Sequence, residues 1–128
     1  MQKSLTKYII SVEYLIAAIL VAVFYVTVGE FPWYWLPITF VIFDISMVGY
    51  LINSNYGALL YNAVHSLIGP TILTLVYILI GNQPSILFIV LVWLFHIFVD
   101  RALGYGLKQR KGFGHTHLGK IGKAKKKK

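Results

Sequence analysis

Four long apolar runs, separated by short turn-forming stretches, occupy most of the chain. They cover about Tyr8–Val28, Phe31–Ile52, Ala58–Ile80 and Ser85–Tyr105, each close to the roughly 20 helical residues that a bilayer core requires. The separators "GEFP", "NSNYG" and "GNQP" are brief, and connections this tight make neighbouring helices antiparallel. Lipid offers no partner to an open backbone, so apolar segments of this length are expected to be helical. The pattern predicts an all-α, integral membrane antiparallel four-helix bundle over residues 1–107, followed by a basic Gly/His/Lys-rich tail over 108–128. The first run is too long for the core of a cleavable signal and is interrupted by Glu13. Within the third run, Gly69-Pro70 predicts a kink, because Pro70 removes a hydrogen bond to the preceding turn.

Composition agrees with a lipid environment. Hydrophobic residues make up 58% and charged residues 12% of 128 residues, and a small soluble domain has too little interior to hide that much apolar surface. There is no cysteine, which excludes disulfides and thiolate metal sites. The formal net charge of +8 is concentrated at the ends: nine of the twelve Lys and Arg residues lie from Lys108 onward, and none lies between Tyr8 and Asp100. By the positive-inside rule both termini of this multi-pass protein are expected in the cytoplasm, across the cell inner (cytoplasmic) membrane. Phe31, Trp33, Tyr34 and Trp35 then form an aromatic belt at the outer interface.

The polar residues inside the runs change the picture. Of four acidic residues, Glu13, Asp44 and Asp100 fall within predicted spans, together with His65 and His96. A charge at the bilayer centre costs at least about 2.5–3.5 kcal/mol, so such placements need a reason. At about 1.5 Å rise per residue, Glu13, Asp44, His65, His96 and Asp100 lie about 8–14 Å from the inner ends of their spans. All four helices thus offer an ionisable group at a similar level in the cytoplasmic half. His96 and Asp100 are four apart and share a face, and Tyr61, Asn62 and His65 form a second polar stripe.

Three chemistries suit such a convergence. Carboxylates with neutral imidazoles fit a divalent ion such as zinc, manganese or iron. The same groups can bind and release protons along an ion pathway. They can also form a buried hydrogen-bonded network, with His96 bonded to Asp100 and Asp44 paired with His65 or Arg101, that fixes register with no chemistry. In the tail, the glycines from Gly104 to Gly122 oppose a continuous helix. "GFGHTHLG" lacks the spacing and the preceding strand of a phosphate fingerprint. His115 and His117, two apart in a tail of polar residues, are either simply solvated, the commoner case, or folded back over the inner mouth of the bundle to complete a metal site. The terminal "KAKKKK" is a polybasic end for anionic lipid headgroups, worth about 1 kcal/mol per residue near the surface. It lacks the aromatic interleaving of a nucleic-acid surface, so no nucleic-acid partner is expected.

The segments "FDISMVGYL" (43–51), "GALLYNAVH" (57–65), "WLFHIFVDRALGYGLK" (93–108) and "GFGHTHLGKIG" (112–122) resemble a family of small bacterial membrane proteins, domain of unknown function 4260. The resemblance runs from about Glu13 to Gly122 and implies a four-span integral membrane protein with no assigned activity. It carries over onto Glu13, Asp44, Ser46, Tyr50, Tyr61, Asn62, His65, His96, Asp100, Arg101, Tyr105, Lys108, His117 and Gly119. Phe43 stands where the family pattern usually has a proline. More remotely, the Asp and His set is similar to that of bacterial membrane-bound metal-dependent hydrolases. The expectation is a metal site of hydrolase type near the cytoplasmic face. Its ligands are Asp44, His65, His96 and Asp100, with His117 or Glu13 as a fifth ligand or general base. Arg101 is expected to hold an anionic group, and Tyr61, Asn62 and Tyr105 to act as outer donors. A proton-linked carrier or channel, as a homodimer because four short helices enclose little volume, and an accessory subunit with a purely structural network are the alternatives.

Overall fold

The helix α1 (Gln2–Thr27) runs unbroken because it contains neither glycine nor proline. It ends in a turn where Val28 and Gly29 both donate to the Phe24 carbonyl. The computed structural model describes residues 2–122. The helices that follow are α2 (Trp35–Asp44), α3 (Ser54–His65), α4 (Ile68–Ile80) and α5 (Pro84–Ala102), with a 3₁₀ helix at Ile45–Leu51 continuing α2. Gly81, at φ +91°, closes α4 in the left-handed conformation, and Pro84 opens α5 where its missing N–H costs nothing. A two-residue hairpin of β1 (His115–Thr116) and β2 (Gly119–Lys120) lies in the tail.

These elements form an all-α antiparallel bundle of four segments: α1, α2 with its 3₁₀ continuation, α3–α4, and α5. α5 lies at the centre, packed against α1, α2 and α4. Ser4–Thr27, Ser54–Ile80 and Pro84–Ala102 are long and apolar enough to cross a membrane, while Trp35–Leu51 is shorter. The outward surface carries Leu20, Val41 and Leu79, each 64–73% exposed. So much apolar area on an outer surface marks a lipid-facing protein. The apolar core, away from the tail, packs Tyr25, Leu36, Leu91 and Val92 against Phe31 and Phe88. The Tyr25 hydroxyl donates to the Pro32 carbonyl at 3.1 Å, which ties the first loop down.

Two of the sequence-predicted spans are not single helices. The second tightens from α to 3₁₀ after Asp44, and Gly49 then meets α3 backbone to backbone: a methyl there would sit 2.8 Å from the Tyr56 carbonyl oxygen. The reverse contact is made by Gly57, on which the Tyr50 ring rests. α3 begins before Ala58, at Ser54, because the Asn53 side chain accepts from the N–H groups of Asn55 and Tyr56. The third span then breaks at Ser66, whose backbone is extended. This lies just upstream of the expected kink at Gly69-Pro70. Pro70 sits in the first turn of α4, where a helix has no use for its N–H, and Gly69 admits the Trp93 ring.

The tail folds back onto this end of the bundle. Asn62 holds the Lys108 main chain at both ends, donating to its carbonyl at 2.8 Å and accepting from its N–H at 2.6 Å. Lys108 also bridges to Thr116, and Gly119 passes close to the Lys7 ammonium. The lysine-rich end from Lys123 to Lys128, read as a headgroup-binding segment, lies outside the described residues.

The Gly57–Tyr50 contact leaves no room for a methyl group. Gly57→Ala is expected to destabilise the fold by about 1–3 kcal/mol, as overpacking does. Reversible unfolding in mixed micelles, followed by far-UV circular dichroism, checks it.

Candidate metal centre

Asp44 ends α2, His65 ends α3, and His96 and Asp100 stand one turn apart on α5. One donor atom from each lies within 4.8 Å of the other three. The Nε2 atoms of His65 and His96 are 2.9 Å apart. Asp44 Oδ1 is 3.7 Å from His65 Nε2 and 3.5 Å from His96 Nε2, and Asp100 Oδ2 is 3.4 Å from both. A tetrahedral zinc site with bonds of about 2.0–2.2 Å has donor–donor edges of about 3.3–3.6 Å. Five of the six spacings, at 2.9–3.7 Å, lie around that edge, while the set as a whole reaches 4.8 Å, so the donors would draw in on a bound ion. The imidazoles are buried, at 2% and 0% exposure, while the Asp44 side chain is 34% exposed and marks the open side.

The surrounding residues prepare these donors. His65 Nδ1 is 3.0 Å from the Tyr61 carbonyl oxygen, which can only accept, so Nδ1 carries the proton and Nε2 presents a lone pair to the cluster. The Tyr61 ring stacks on His65 at 3.8 Å with an interplanar angle of 7°, and its hydroxyl donates to Asp100 Oδ2 at 3.3 Å. His96 is held by packing, its ring centre 4.2 Å from that of Phe40 and 5.4 Å from that of Phe43, and its Nδ1 has no hydrogen-bond partner among the described residues. Two carboxylates and two imidazoles thus converge on one point in an apolar setting. The nearby cations, Arg101 on main-chain oxygens and Lys108 on ring faces, make no ion pair with either carboxylate among the described residues, so a bound cation would compensate the two acids directly. The donor set fits zinc and its neighbours.

The break in the third span is what aims His65. Its end carbonyls would be orphaned in lipid. Instead Ser66 N–H donates to Asn62, Trp93 Nε1 donates to the Val64 carbonyl at 2.6 Å, and Arg101 Nη2 donates to the His65 carbonyl at 3.0 Å. Arg101 Nη1 also reaches the Tyr105 carbonyl at 3.3 Å. Arg101, expected from sequence to hold an anion, is buried and bound to main-chain oxygens.

The structure brings together Asp44, His65, His96 and Asp100 and leaves two other expected residues outside that group. Glu13 is exposed on α1. His117 is pinned elsewhere: its Nδ1 accepts from Leu107 N–H at 2.8 Å and its ring lies against Gly106. Burial, reinforced by Arg101, holds the His117 imidazole below its usual range. The level shared by four helices is therefore shared by three. Lys108 was underrated from sequence, where its polar neighbours read as a solvated tail. It is 4% exposed, with its ammonium 3.8 Å from the centre of the Phe113 ring and 4.9 Å from that of Tyr61. Lys108, Asp44, Asp100 and Tyr61 all line one cavity of about 310 Å³.

Burial pushes the Lys108 ammonium down from 10.5 to about 8, with the Asp100 carboxylate opposing the shift. Between those values the unfolded chain holds more protons than the folded one, so stability rises with pH across the window from about 8 to 10.5. Unfolding midpoints at the two ends of that window, in neutral detergent, are expected to rise for the native chain. In Lys108→Met this rise should be lost.

No curated protein and no solved structure matches the chain. One family model, described as domain of unknown function (DUF4260), matches residues 7–121. Covering nearly the whole of both the bundle and the folded tail, that match shows that the chain belongs to the DUF4260 family.

Proposed function

We propose that this membrane protein holds one divalent transition metal, of the zinc class, between Asp44, His65, His96 and Asp100, and uses it in hydrolysis at the cytoplasmic side. The observation that carries the reading is the convergence of four ligand atoms within 4.8 Å from three separate segments. The basic residues at both ends, with none between Tyr8 and Asp100, support the orientation. A site closed on all sides would suit a structural metal. Four protein donors would fill a tetrahedral shell, so catalysis here requires Asp44, the least buried donor and one that borders a cavity, to yield its position to water or the shell to expand to five. When bound, such an ion lowers the pKa of a coordinated water to about 7 and polarises an ester oxygen. The chain's own residues do the rest. Tyr61 orients both His65 and Asp100, Arg101 is the positioning residue that fixes the end of α3, and Asp44 faces the cavity where a proton from water can be taken up. Glu13 and His117 would join only after rearrangement of the tail and α1.

A second reading, a buried network with no ion, is favoured by the 2.9 Å contact between the two Nε2 atoms, which is itself a hydrogen-bond length. Elemental analysis of protein purified without chelator separates the two. About one zinc, manganese or iron per chain is expected, falling to background in His65→Ala and His96→Ala. Tyr61→Phe, which removes the hydroxyl on Asp100, should weaken metal affinity by about tenfold or more. Metal that stays far below one per chain for every ion offered would leave the network reading standing.

A further inference from the structure

The ammonium of Lys108 is the unspent group in this molecule. Its main chain is bound by Asn62, yet the ammonium has no hydrogen bond or ion pair among the described residues, only the ring faces of Phe113, Tyr61 and Tyr105. The anion that acts on it, Asp100 in the same cavity, would be taken up by an ion in the loaded centre, which leaves this largely buried cation in need of another. The cavity it lines is also lined by Asp44 and Asp100 from the metal centre, and elsewhere by apolar Phe40, Met47 and Leu103. The cavity thus has a charged wall and a hydrocarbon wall.

We propose that this cavity binds a phosphate monoester, with its oxygens shared between the Lys108 ammonium and the metal centre and its organic part against the apolar wall. The inference rests on the metal reading above. Formal charge selects the ligand. Asp44 and Asp100 contribute two negative charges that a divalent ion cancels, leaving two positive charges: Lys108 on the cavity wall, and Arg101 outside that lining, bound to main-chain oxygens. A phosphate monoester, at about −1.5 to −2 near neutral pH, balances them better than a carboxylate. Without the ion the pocket's carboxylates repel an anion, so binding requires the loaded protein. Leu103 is 67% exposed just past the end of the α5 span, beside Lys7, Lys111 and Lys120, a headgroup-level position that makes a lipid phosphate the favoured source and a soluble phosphate the other.

The test uses the full chain in nanodiscs of phosphatidylcholine, loaded with zinc and verified by elemental analysis before any phosphate is added. Binding of radiolabelled phosphatidic acid and of inorganic phosphate is then measured separately. Phosphatidic acid is expected to bind saturably to the zinc-loaded chain. Its affinity should fall about tenfold or more in Lys108→Met and in zinc-free protein, the loss of one charge-assisted contact. The tail lysines are common to both proteins, so the difference reads Lys108 alone. Leu103→Trp, at an exposed position where folding is not at stake, should weaken phosphatidic acid and spare inorganic phosphate. Tight binding of inorganic phosphate that also needs Lys108, with no preference for the lipid, supports the anion site with a soluble ligand. If the zinc-loaded chain binds neither phosphate, or if neither substitution changes binding, the inference is overturned while the metal centre stands. Absence of zinc, manganese and iron alike from the native chain overturns the metal centre first, and this inference with it.

Discussion

The capture of the α3 end by α5 is the interaction on which the rest depends. A helix that stops inside an apolar segment exposes carbonyl groups that lipid cannot satisfy, each at a cost of several kcal/mol. Here Trp93 takes the Val64 carbonyl and Arg101 takes that of His65. With those two oxygens paired, Ser66 can adopt an extended backbone and α4 can start afresh at Ile68. The break turns His65 toward His96 on the same α5 that supplied the donors. Helix termination, central packing and ligand placement are thus one arrangement.

The excursion between Asp44 and His65 follows from it. The chain leaves the centre at Asp44, descends through the 3₁₀ helix, turns at Asn53 and returns along α3 to within 3.7 Å of where it left. Gly49 and Gly57 let the two arms of this hairpin touch at backbone distance. A small hairpin closed at its base by an acid and an imidazole positions ligands more firmly than two independent helices would. Asn62, on the same arm, extends the order to the tail through its two bonds to Lys108.

The four segments were legible in the sequence because apolar runs and turns leave few alternatives in lipid. The converging side chains were legible because acids and histidines inside such runs are too costly to be decoration. His96 and Asp100 could be paired from their spacing alone. Glu13 passed the same depth criterion and yet lies outside the cluster. Depth does not give rotation: α1 turns Ala18 and Tyr25 inward, and at 3.6 residues per turn Glu13 points about 140° away from Ala18. The break at Ser66 was marked locally only by Gly69-Pro70 a few residues on, since its exact place is set by a pair of side chains on α5. Lys108 was hidden for a related reason: its burial depends on Asn62, far away in sequence.

The central position of α5 has a consequence for how the protein is made. α5 leaves the ribosome after the other three segments, and it carries two of the four converging side chains along with both donors that secure the interrupted helix. Until it inserts, the junction between α3 and α4 has no stable form in hydrocarbon. The earlier segments must therefore wait as a continuous rod or near the headgroups, and the interior becomes polar only once α5 has joined them. Nascent chains stalled before Pro84 would be plain lipid-soluble helices, with nothing yet built to attract an ion.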